Sequence, residues 1–536
     1  MTTSPTYDAI IVGGGHNGLV AAAYLAKAGQ KVLLLERLEA TGGAAVSAEA
    51  FPGIDARLSR YSYLVSLLPQ RIIEDLGLDI TLVRRRYSSY TPLPGEATGL
   101  LIDTADAAAT SASFAAIGAA EDDAAFTEFY ADTTHVAGAL WPTLTEPLLT
   151  RSEVRALLAD AGASDTIWAD VFERPLGKAI ERRIGSDLVR GVVLTDALIG
   201  TFARAHGEDL SQNRCFLYHV IGGGTGDWDV PVGGMGAVSG ALWHAAKEAG
   251  AHIVTRAEVT SVNPDGTVQF ELDEQIFEVS GERVLANVAP WVLEGLLGSA
   301  GHAPEEADAV PKPEGAQVKV NLLLTRLPKL LDDTVGAVAA FGGTFHVNEL
   351  NSQLEAAYLE AAAGSIPGTL PVEIYCHSLN DASILSPELQ AAGAQTLTVF
   401  GLHTPDSLVT EENNDEQRTA LQAAVLASLN SVLAEPIEDC LMLDAEGNPC
   451  IETKTTLDLE HALWMPGGNI FHGPLSWPFV EDDEPLDTPA RRWGVATAHP
   501  RILLCGSGSR RGGAVSGLGG HSAAMAVLEE LSEARA

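Results

Sequence analysis

The sequence predicts an α/β protein in which two structural units are interleaved along the chain. A buried strand, a glycine-rich turn and a helix follow one another near the start of the chain, at residues 9–28, and again near its end, at 501–531. The 536 residues exceed the length of one ordinary domain, yet no long linker or internal repeat separates independent modules. The length therefore predicts two or three structural units.

The composition is that of a globular protein, with 46% hydrophobic and 19% charged residues. Lys and Arg number 33 against 71 Asp and Glu, which gives a formal net charge of −38. Such a charge repels phosphate backbones and anionic lipid headgroups, so we expect no nucleic-acid partner and at most peripheral contact with a membrane. Its simplest consequence is solubility.

The five cysteines are scattered, and none forms a Cys-x-x-Cys pair. This pattern excludes a dithiol reductase and argues against a disulfide framework or a zinc cluster. The histidines and carboxylates show no ligand spacing either, so no metal site is predicted. The first residues lack a basic region and an apolar signal core, which predicts a cytoplasmic protein.

The first strand–turn–helix unit has the features of a dinucleotide site. Residues 9–12 form a short apolar strand, residues 32–35 form a second one, and Glu36 ends it. Glycines in the turn let backbone N–H groups approach a pyrophosphate at the positive end of a helix, and Glu36 is placed to bind ribose hydroxyls. An acid here disfavours NADP. The glycines of the G-x-G-x-x-G motif are Gly13, Gly15 and Gly18.

A second glycine pair, Gly42 and Gly43, follows Glu36 and precedes Ala44. This extension resembles the one in two-domain flavoproteins of the amine-oxidase and phytoene-desaturase group, where the pair passes close to the flavin. The resemblance implies FAD as the cofactor and a Rossmann-type FAD-binding domain. The arginine that usually follows the pair is replaced by Ala44.

Two further segments resemble the same group. Residues 230–236 resemble its Pro-x-Gly-Gly-Met-Gly segment, and Val259 matches a position whose backbone contacts adenine. At the end of the chain, the strand–glycine–helix unit resembles one that closes over the flavin, with the helix N-terminus directed at the pyrimidine side. The implied cofactor-binding residues of this unit are Gly506, Gly517, Leu518 and Gly519.

The opening Gly-Gly-Gly-His-Asn-Gly and residues 60–69 and 467–473 resemble the phytoene dehydrogenase-like branch that contains pyridine nucleotide-disulfide oxidoreductase domain-containing protein 2. This branch is related to carotenoid desaturases and isomerases and to flavoprotein β-carotene ketolases. The resemblance implies an FAD-dependent oxidoreductase acting on C–C or C=C bonds of an apolar, polyene or isoprenoid-like substrate, by desaturation or redox-neutral isomerisation. A flavin amine or amino-acid oxidase, and a flavoprotein with a binding or assembly role, are the alternatives.

The distribution of these motifs sets the expected domain boundaries. The FAD-binding domain comprises residues 1–75, 225–295 and 495–536, and an α+β substrate domain comprises residues 76–224 and 296–494. In the substrate domain we expect strands near 316–324, 371–376 and 396–402, and helix caps at Thr104 and Ser152.

The candidate catalytic residues are less well defined than the cofactor site. His472 lies in a glycine- and aromatic-rich stretch and could transfer protons, or could bond the backbone of a turn. Arg60 and Tyr61 could line the flavin, or form an ion pair and a packed ring. Arg511 could stabilise charge on reduced flavin, or hold a carboxylate. A second nucleotide motif is missing, so oxygen, a quinone or another diffusible acceptor is expected to take the electrons.

Overall fold

The computed structural model describes residues 5–305, 307 and 309–535. Its strands are β1 (Thr6–Val12), β2 (Val32–Leu35), β3 (Ser47–Glu49), β4 (Arg57–Ser59), β5 (Leu82–Arg84), β6 (Tyr87–Pro92), β7 (Gly99–Asp103), β8 (Asp229–Pro231), β9 (His252–Val254), β10 (Glu258–Val262), β11 (Thr267–Leu272), β12 (Gln275–Ala286), β13 (Gln317–Leu324), β14 (Thr344–Val347), β15 (Val372–Tyr375), β16 (Gln395–Leu402), β17 (Ile451–Lys454) and β18 (Ile502–Leu504).

The α-helices are α1 (His16–Lys27), α2 (Gln70–Leu76), α3 (Ala107–Ala116), α4 (Asp122–Leu140), α5 (Arg151–Asp160), α6 (Asp165–Phe172), α7 (Leu176–Arg183), α8 (Asp187–Thr195), α9 (Ser211–Val220), α10 (Met235–Glu248), α11 (Pro290–Ser299), α12 (Ala337–Phe341), α13 (Asn351–Ala362), α14 (His377–Asn380), α15 (Pro387–Ala391), α16 (Asn414–Asn430), α17 (Thr456–Leu463), α18 (Pro489–Arg492) and α19 (Leu518–Glu533). None of the described helices is long and apolar enough to cross a bilayer.

The first sheet contains the nucleotide-type unit predicted at the start of the chain. Its strand order is β10-β11-β12-β1-β2-β9, and β18 also pairs with β12. β1 is parallel to both β2 and β12, and β12 is parallel to β18, so the two ends of the chain meet through β12. The apolar side chains of α1, α10 and α19 pack together on one face of this sheet. Both ends of the chain thus contribute a strand to one sheet.

The second sheet has the order β17-β13-β16-β15-β14-β6-β7 and is antiparallel except between β6 and β14. Side chains alternate between its faces, as the pleat requires. Val318, Val320 and Leu322 lie on the face that packs against Leu421 and Val425 of α16. Lys319, between the first two of these, therefore points to the opposite face.

The two sheets draw on alternating parts of the chain, as the α/β prediction with interleaved segments requires. The first sheet uses strands within residues 6–35, 252–286 and 502–504, and the second uses strands within 87–103, 317–402 and 451–454. The exact domain boundaries stay a prediction. The predicted caps are wrong by two residues, because Asp106 caps α3 and Thr150 caps α5 in a capping box with Glu153.

Candidate active site

A cavity of about 430 Å³ extends from the glycine turn after β1 to the face of the second sheet that carries Lys319. Gly13, Gly15 and Glu36 line its first end, and His346 and Glu373 line the other. Both sheets therefore contribute to one site, which is the arrangement that a cofactor-binding domain and a substrate domain require.

At two positions of the glycine turn there is no room for a side chain. Gly13 has φ +98°, and a Cβ there would lie 2.7 Å from the carbonyl oxygen of Asn287. A Cβ on Gly18 would overlap the carbonyl oxygen of Gly13. Gly15 is the N-cap of α1 and lies on the cavity wall. This turn and the start of α1 form a cradle of the kind that binds a pyrophosphate.

Glu36 is held in a fixed position beside this cradle. Its carboxylate accepts hydrogen bonds from the backbone N–H groups of Gly14 and Leu38, both at 2.7 Å. Burial raises the pKa of Glu36, and these N–H bonds oppose that shift. Each carboxylate oxygen accepts one bond from the backbone, which leaves capacity to accept bonds from the hydroxyls of a ribose.

The glycine pair Gly42–Gly43 packs against the turn of the first glycine motif. The Gly42 N–H donates to the carbonyl oxygen of Gly14 at 2.9 Å. Gly43 and Ala44 line the cavity, and Val259 lies on the wall near Glu36. One continuous cavity is thus lined by residues of the kinds that bind the pyrophosphate and ribose of a dinucleotide: Gly13, Gly15, Glu36, Gly43, Ala44 and Val259.

Two residues that sequence reasoning missed lie beside Val259. Arg37 and Trp464 line the cavity, and the Arg37 guanidinium lies 5.2 Å from the centre of the Trp464 ring. The same guanidinium donates to the carbonyl oxygen of Ala462 at 2.9 Å. These contacts bring the loop after α17 over the end of the cavity that Glu36 marks.

The C-terminal segment forms the wall at different residues from those predicted. Gly513, Ala514 and Val515 line the cavity. Leu518 is fully buried, and a Cβ on Gly519 would lie 2.8 Å from the carbonyl oxygen of Cys505. The remaining predicted glycines, Gly506 and Gly517, pack against Asn287 and against Val20 and Leu68 respectively. The four predicted residues are absent from the described cavity wall, and their contacts with the cofactor stay a prediction.

Asn287 connects the glycine segments and was not identified from the sequence. It follows β12, and its Nδ2 donates to the carbonyl oxygen of Gly13 at 2.9 Å. A Cβ placed on Gly15 would lie nearest to Nδ2 of Asn287, and a Cβ placed on Gly506 would lie nearest to its Oδ1. Asn287 therefore fixes the first glycine turn against the C-terminal one. No spacing rule singles out an asparagine after a strand.

His472 and Tyr61 both lie on the cavity wall. His472 has φ +63° and is half-buried, and desolvation of its ring lowers its pKa to about 4. The nearby His16 is buried, and desolvation and His472 together lower its pKa to about 4. Nδ1 of His472 and Nε2 of His16 have no hydrogen-bond partner among the described residues. Both rings are therefore neutral near pH 7.

Arg60 and Arg511 lie off the described wall. The Arg60 Nε donates to Glu452 at 2.9 Å. Arg511 is 2% exposed, and its guanidinium donates to the carbonyl oxygens of Leu144 at 3.2 Å and Pro478 at 3.4 Å. These guanidinium groups hold elements together, so the geometry provides no direct contact between them and a substrate.

The floor of the cavity is a row of side chains across the second sheet. Lys319 pairs with Phe400, Phe400 with Glu373, and Glu373 with His346. All four line the cavity. Their order follows from strand pairing and not from closeness in the sequence, which is why sequence motifs do not show it.

Lys319 is the basic member of this row and is 2% exposed. Its Nζ donates to the carbonyl oxygen of Ser59 at 2.9 Å and lies 5.4 Å from the centre of the Phe400 ring. Burial lowers the pKa of Lys319 to about 7, while Glu452 opposes the shift. A lysine with this pKa can both accept and donate a proton near neutral pH.

The far end of the cavity is acidic. Asp196 and Glu373 lie on the wall, and burial raises their pKa values to about 7 and about 8. Glu373 accepts hydrogen bonds from the hydroxyls of Thr195 at 2.9 Å and Tyr375 at 2.6 Å. Arg85, on the same wall, favours the charged form of both acids.

Comparison with known proteins places the chain in a family. Residues 11–70 match the model for NAD(P)-binding Rossmann-like domains. The protein Rv0897c of Mycobacterium tuberculosis (strain H37Rv) is 58% identical over 99% of this chain and 98% of its own length. The pyridine nucleotide-disulfide oxidoreductase domain-containing protein 2 of Rattus norvegicus is 30% identical over 98% of this chain and 94% of its own length.

A solved structure shows the same fold at low sequence identity. Cyclohexylamine oxidase from Brevibacterium oxydans IH-35A superposes with a TM-score of 0.55 and 15% identity, over 98% of this chain and 100% of that one. At the level of family and fold, these comparisons confirm the predicted Rossmann-type domain and the predicted FAD-dependent oxidoreductase. The chain belongs to the family of pyridine nucleotide-disulfide oxidoreductase domain-containing protein 2, among the FAD-dependent oxidoreductases.

Proposed function

We propose that this protein oxidises or isomerises a C–C or C=C bond in a mainly apolar, unsaturated small molecule, with FAD as cofactor. The observation that supports this proposal best is the apolar lining of the middle of the cavity. Between the glycine cradle and the acidic end, the wall is aromatic and aliphatic, and it includes Tyr63, Phe126, Tyr130, Val192, Ile199 and Phe400. Such a wall binds an apolar carbon chain through burial of its surface.

The side chains of this wall would hold the substrate and exclude water. Tyr63 packs on Tyr375 with ring centres 4.0 Å apart and on Phe400 at 5.4 Å. These rings stand between the glycine cradle and the acidic end, so an unsaturated substrate would lie against aromatic faces. FAD, when bound, would supply the hydride acceptor.

Lys319 is the chain's best-placed group for the proton half of such a reaction. It lies on the wall with Tyr61, Tyr63 and Gly43, and its lowered pKa leaves part of the lysine population neutral near pH 7. A neutral amine can accept the proton that leaves the carbon next to the oxidised one, and can return it in an isomerisation. His472 is a second neutral group on the same wall.

A second candidate function is oxidation of an amine, and one observation favours it. Asp196 and Glu373 could bind an ammonium group at the end of the aromatic wall, because burial strengthens the attraction between opposite charges. The structural neighbour named above is an amine oxidase. An amine substrate would place its charge near Asp196, whereas a hydrocarbon substrate has no need of that acid.

The experiment that tests the proposal uses the purified, FAD-containing protein under anaerobic conditions. It is mixed separately with isoprenoid polyenes and with aliphatic amines, the flavin absorbance is followed, and products are identified by chromatography with mass spectrometry. We expect bleaching and a more unsaturated product, or a new isomer without bleaching, with a polyene. Lys319→Met should slow either reaction, and the exposed Lys329→Met should not.

Two results would overturn the proposal. Bleaching by amines alone, lost in Asp196→Asn, would support the amine oxidase instead. No reaction with either class, together with tight FAD binding, would support a binding or assembly role.

We propose oxygen, a quinone or another diffusible acceptor as the partner that reoxidises the flavin. Admission of air or of a soluble quinone after bleaching tests this proposal.

A further inference from the structure

A buried cluster at the acidic end of the cavity has the composition of a metal site. One ligand atom from each of His346, Glu349 and Glu373 lies within 4.8 Å of the others, and all three residues are buried. Ligands bound at about 2 Å to one ion are roughly 3–4 Å apart, so a small inward shift of the carboxylates would complete the group. The sequence predicts no metal site, because strand pairing brings Glu373 to the other two.

The fold positions two of these residues side by side. His346 on β14 pairs directly with Glu373 on β15, so their side chains share one face of the sheet. Nδ1 of His346 lies 2.9 Å from the hydroxyl of Thr91 on the neighbouring strand. A bond from Nδ1–H to that hydroxyl leaves Nε2 as a metal ligand, which is how metal-binding imidazoles are commonly oriented.

Glu349 is the member of the cluster that most needs a partner. It is 1% exposed, and neither of its carboxylate oxygens has a hydrogen-bond partner among the described residues. A buried carboxylate without a donor or a counter-charge is costly, because it loses its hydration without replacement. A cation bound between Glu349 and Glu373 would supply the counter-charge that Glu349 lacks.

The backbone holds Glu349 in place. Asn348 has φ +61°, and its side-chain amide donates to the carbonyl oxygen of Leu370 at 3.2 Å and to the Ser428 hydroxyl at 3.1 Å. Gly191 of α8 packs so closely that a Cβ there would overlap the carbonyl oxygen of Glu349. A left-handed residue fixed on both sides is typical of a position that must aim a functional side chain.

We infer that His346, Glu349 and Glu373 bind a divalent transition-metal ion, of which Mn²⁺ and Zn²⁺ are the probes. One imidazole with two carboxylates suits these ions better than Ca²⁺ or Mg²⁺, which prefer oxygen ligands alone. Arg85, on the same wall, offsets part of the negative charge of Glu373, but the Glu349 carboxylate remains without a partner. The ion would close the end of the cavity away from the glycine cradle, and its binding does not depend on the proposed flavin reaction.

The test uses FAD-containing protein treated with a chelator, from which the chelator is then removed. MnCl₂ is titrated and bound Mn²⁺ is counted by electron paramagnetic resonance, and thermal unfolding is measured with MnCl₂ and with ZnCl₂. We expect saturable binding of one Mn²⁺ per chain and a higher Tm. Glu349→Gln and His346→Gln should each weaken Mn²⁺ binding by more than about tenfold, and the exposed Glu416→Gln should not.

Absence of saturable Mn²⁺ and Zn²⁺ binding to the wild-type protein would overturn the inference. Wild-type affinity in both Glu349→Gln and His346→Gln would overturn it as well. The flavin spectrum of each variant shows whether it is folded. If one variant fails to retain FAD, the other decides the result. None of these readouts depends on substrate turnover, so failure of the proposed function leaves the metal test intact.

Discussion

Lys319 and Glu373 lie in one row across the second sheet, with Phe400 on the strand between them. The row places a base at the end of the cavity near Gly43 and an acid at the end near His346. An apolar substrate lying along Phe400 would therefore have a group for proton transfer at one end and a polar pocket at the other.

Replacement of Gly18 by Ala should abolish FAD binding. The added Cβ would overlap the Gly13 carbonyl oxygen and would push α1 away from β1. Gly240→Ala is the matched control, because a Cβ at that position of α10 has open space around it. The control should retain FAD and gain about 0.5–1 kcal/mol of stability. The ratio of flavin to protein absorbance and the Tm check both outcomes, and a flavin-loaded Gly18→Ala would contradict the assignment of the cradle.

Glu36→Ala should weaken FAD binding strongly. The substitution leaves the N–H groups of Gly14 and Leu38 without their acceptor, at about 1–3 kcal/mol for each buried group, and removes the proposed ribose contact. The exposed Glu39→Gln serves as the control. Titration of deflavinated protein with FAD, followed by flavin fluorescence, measures the effect. Equal affinity in Glu36→Ala and wild type would show that ribose lies elsewhere.

Burial of Lys319 should make the stability of the protein depend on pH. Its folded pKa of about 7 lies below its ordinary value of 10.5, so the unfolded chain binds more protons between these values. The free energy of unfolding contributed by this group therefore rises with pH across that window and is lowest below pH 7. Lys319→Met lacks this titrating amine and therefore lacks its pH-dependent contribution to the free energy of unfolding. We expect its stability relative to wild type to fall as pH rises from about 7 to 10 in denaturant titrations, and a constant difference would contradict the burial of an ionisable amine.

His472→Asn should keep the flavin but lower turnover. Asparagine tolerates the left-handed backbone at this position, and the His472 Nδ1 has no partner in the described structure whose loss would destabilise the fold. Because burial keeps the pKa of His472 near 4, the wild-type activity profile should show no change from this group between about pH 6 and 8. Normal turnover of His472→Asn would rule out an acid–base role.

The part of the site that the sequence revealed is the part built from local segments. The glycine turn, Glu36 and Gly43 are close together in the chain, and each has a backbone reason for its residue type. The residues that escaped sequence reasoning come together through strand pairing. The neighbours of Lys319, Glu373 and Asn287 come from distant parts of the chain. No sequence motif identifies a single buried lysine within an apolar strand.

At three predicted positions the structure differs from the prediction for physical reasons. Thr104 and Ser152 were expected to cap helices, but Asp106 and Thr150 do so, because several polar residues precede each helix and only backbone geometry selects among them. Arg511 was expected to stabilise charge on reduced flavin or to hold a carboxylate, but its guanidinium donates to the carbonyl oxygens of Leu144 and Pro478. A buried arginine in a glycine-rich turn looks the same in sequence whether it binds a ligand or a loop.

The most direct test of FAD binding at the glycine cradle is the visible absorption spectrum of the purified wild-type protein, measured beside Gly18→Ala and Gly240→Ala. We expect flavin bands from one FAD per chain in wild type and Gly240→Ala, and none in Gly18→Ala. A colourless wild-type protein that takes up no FAD on titration would contradict this expectation.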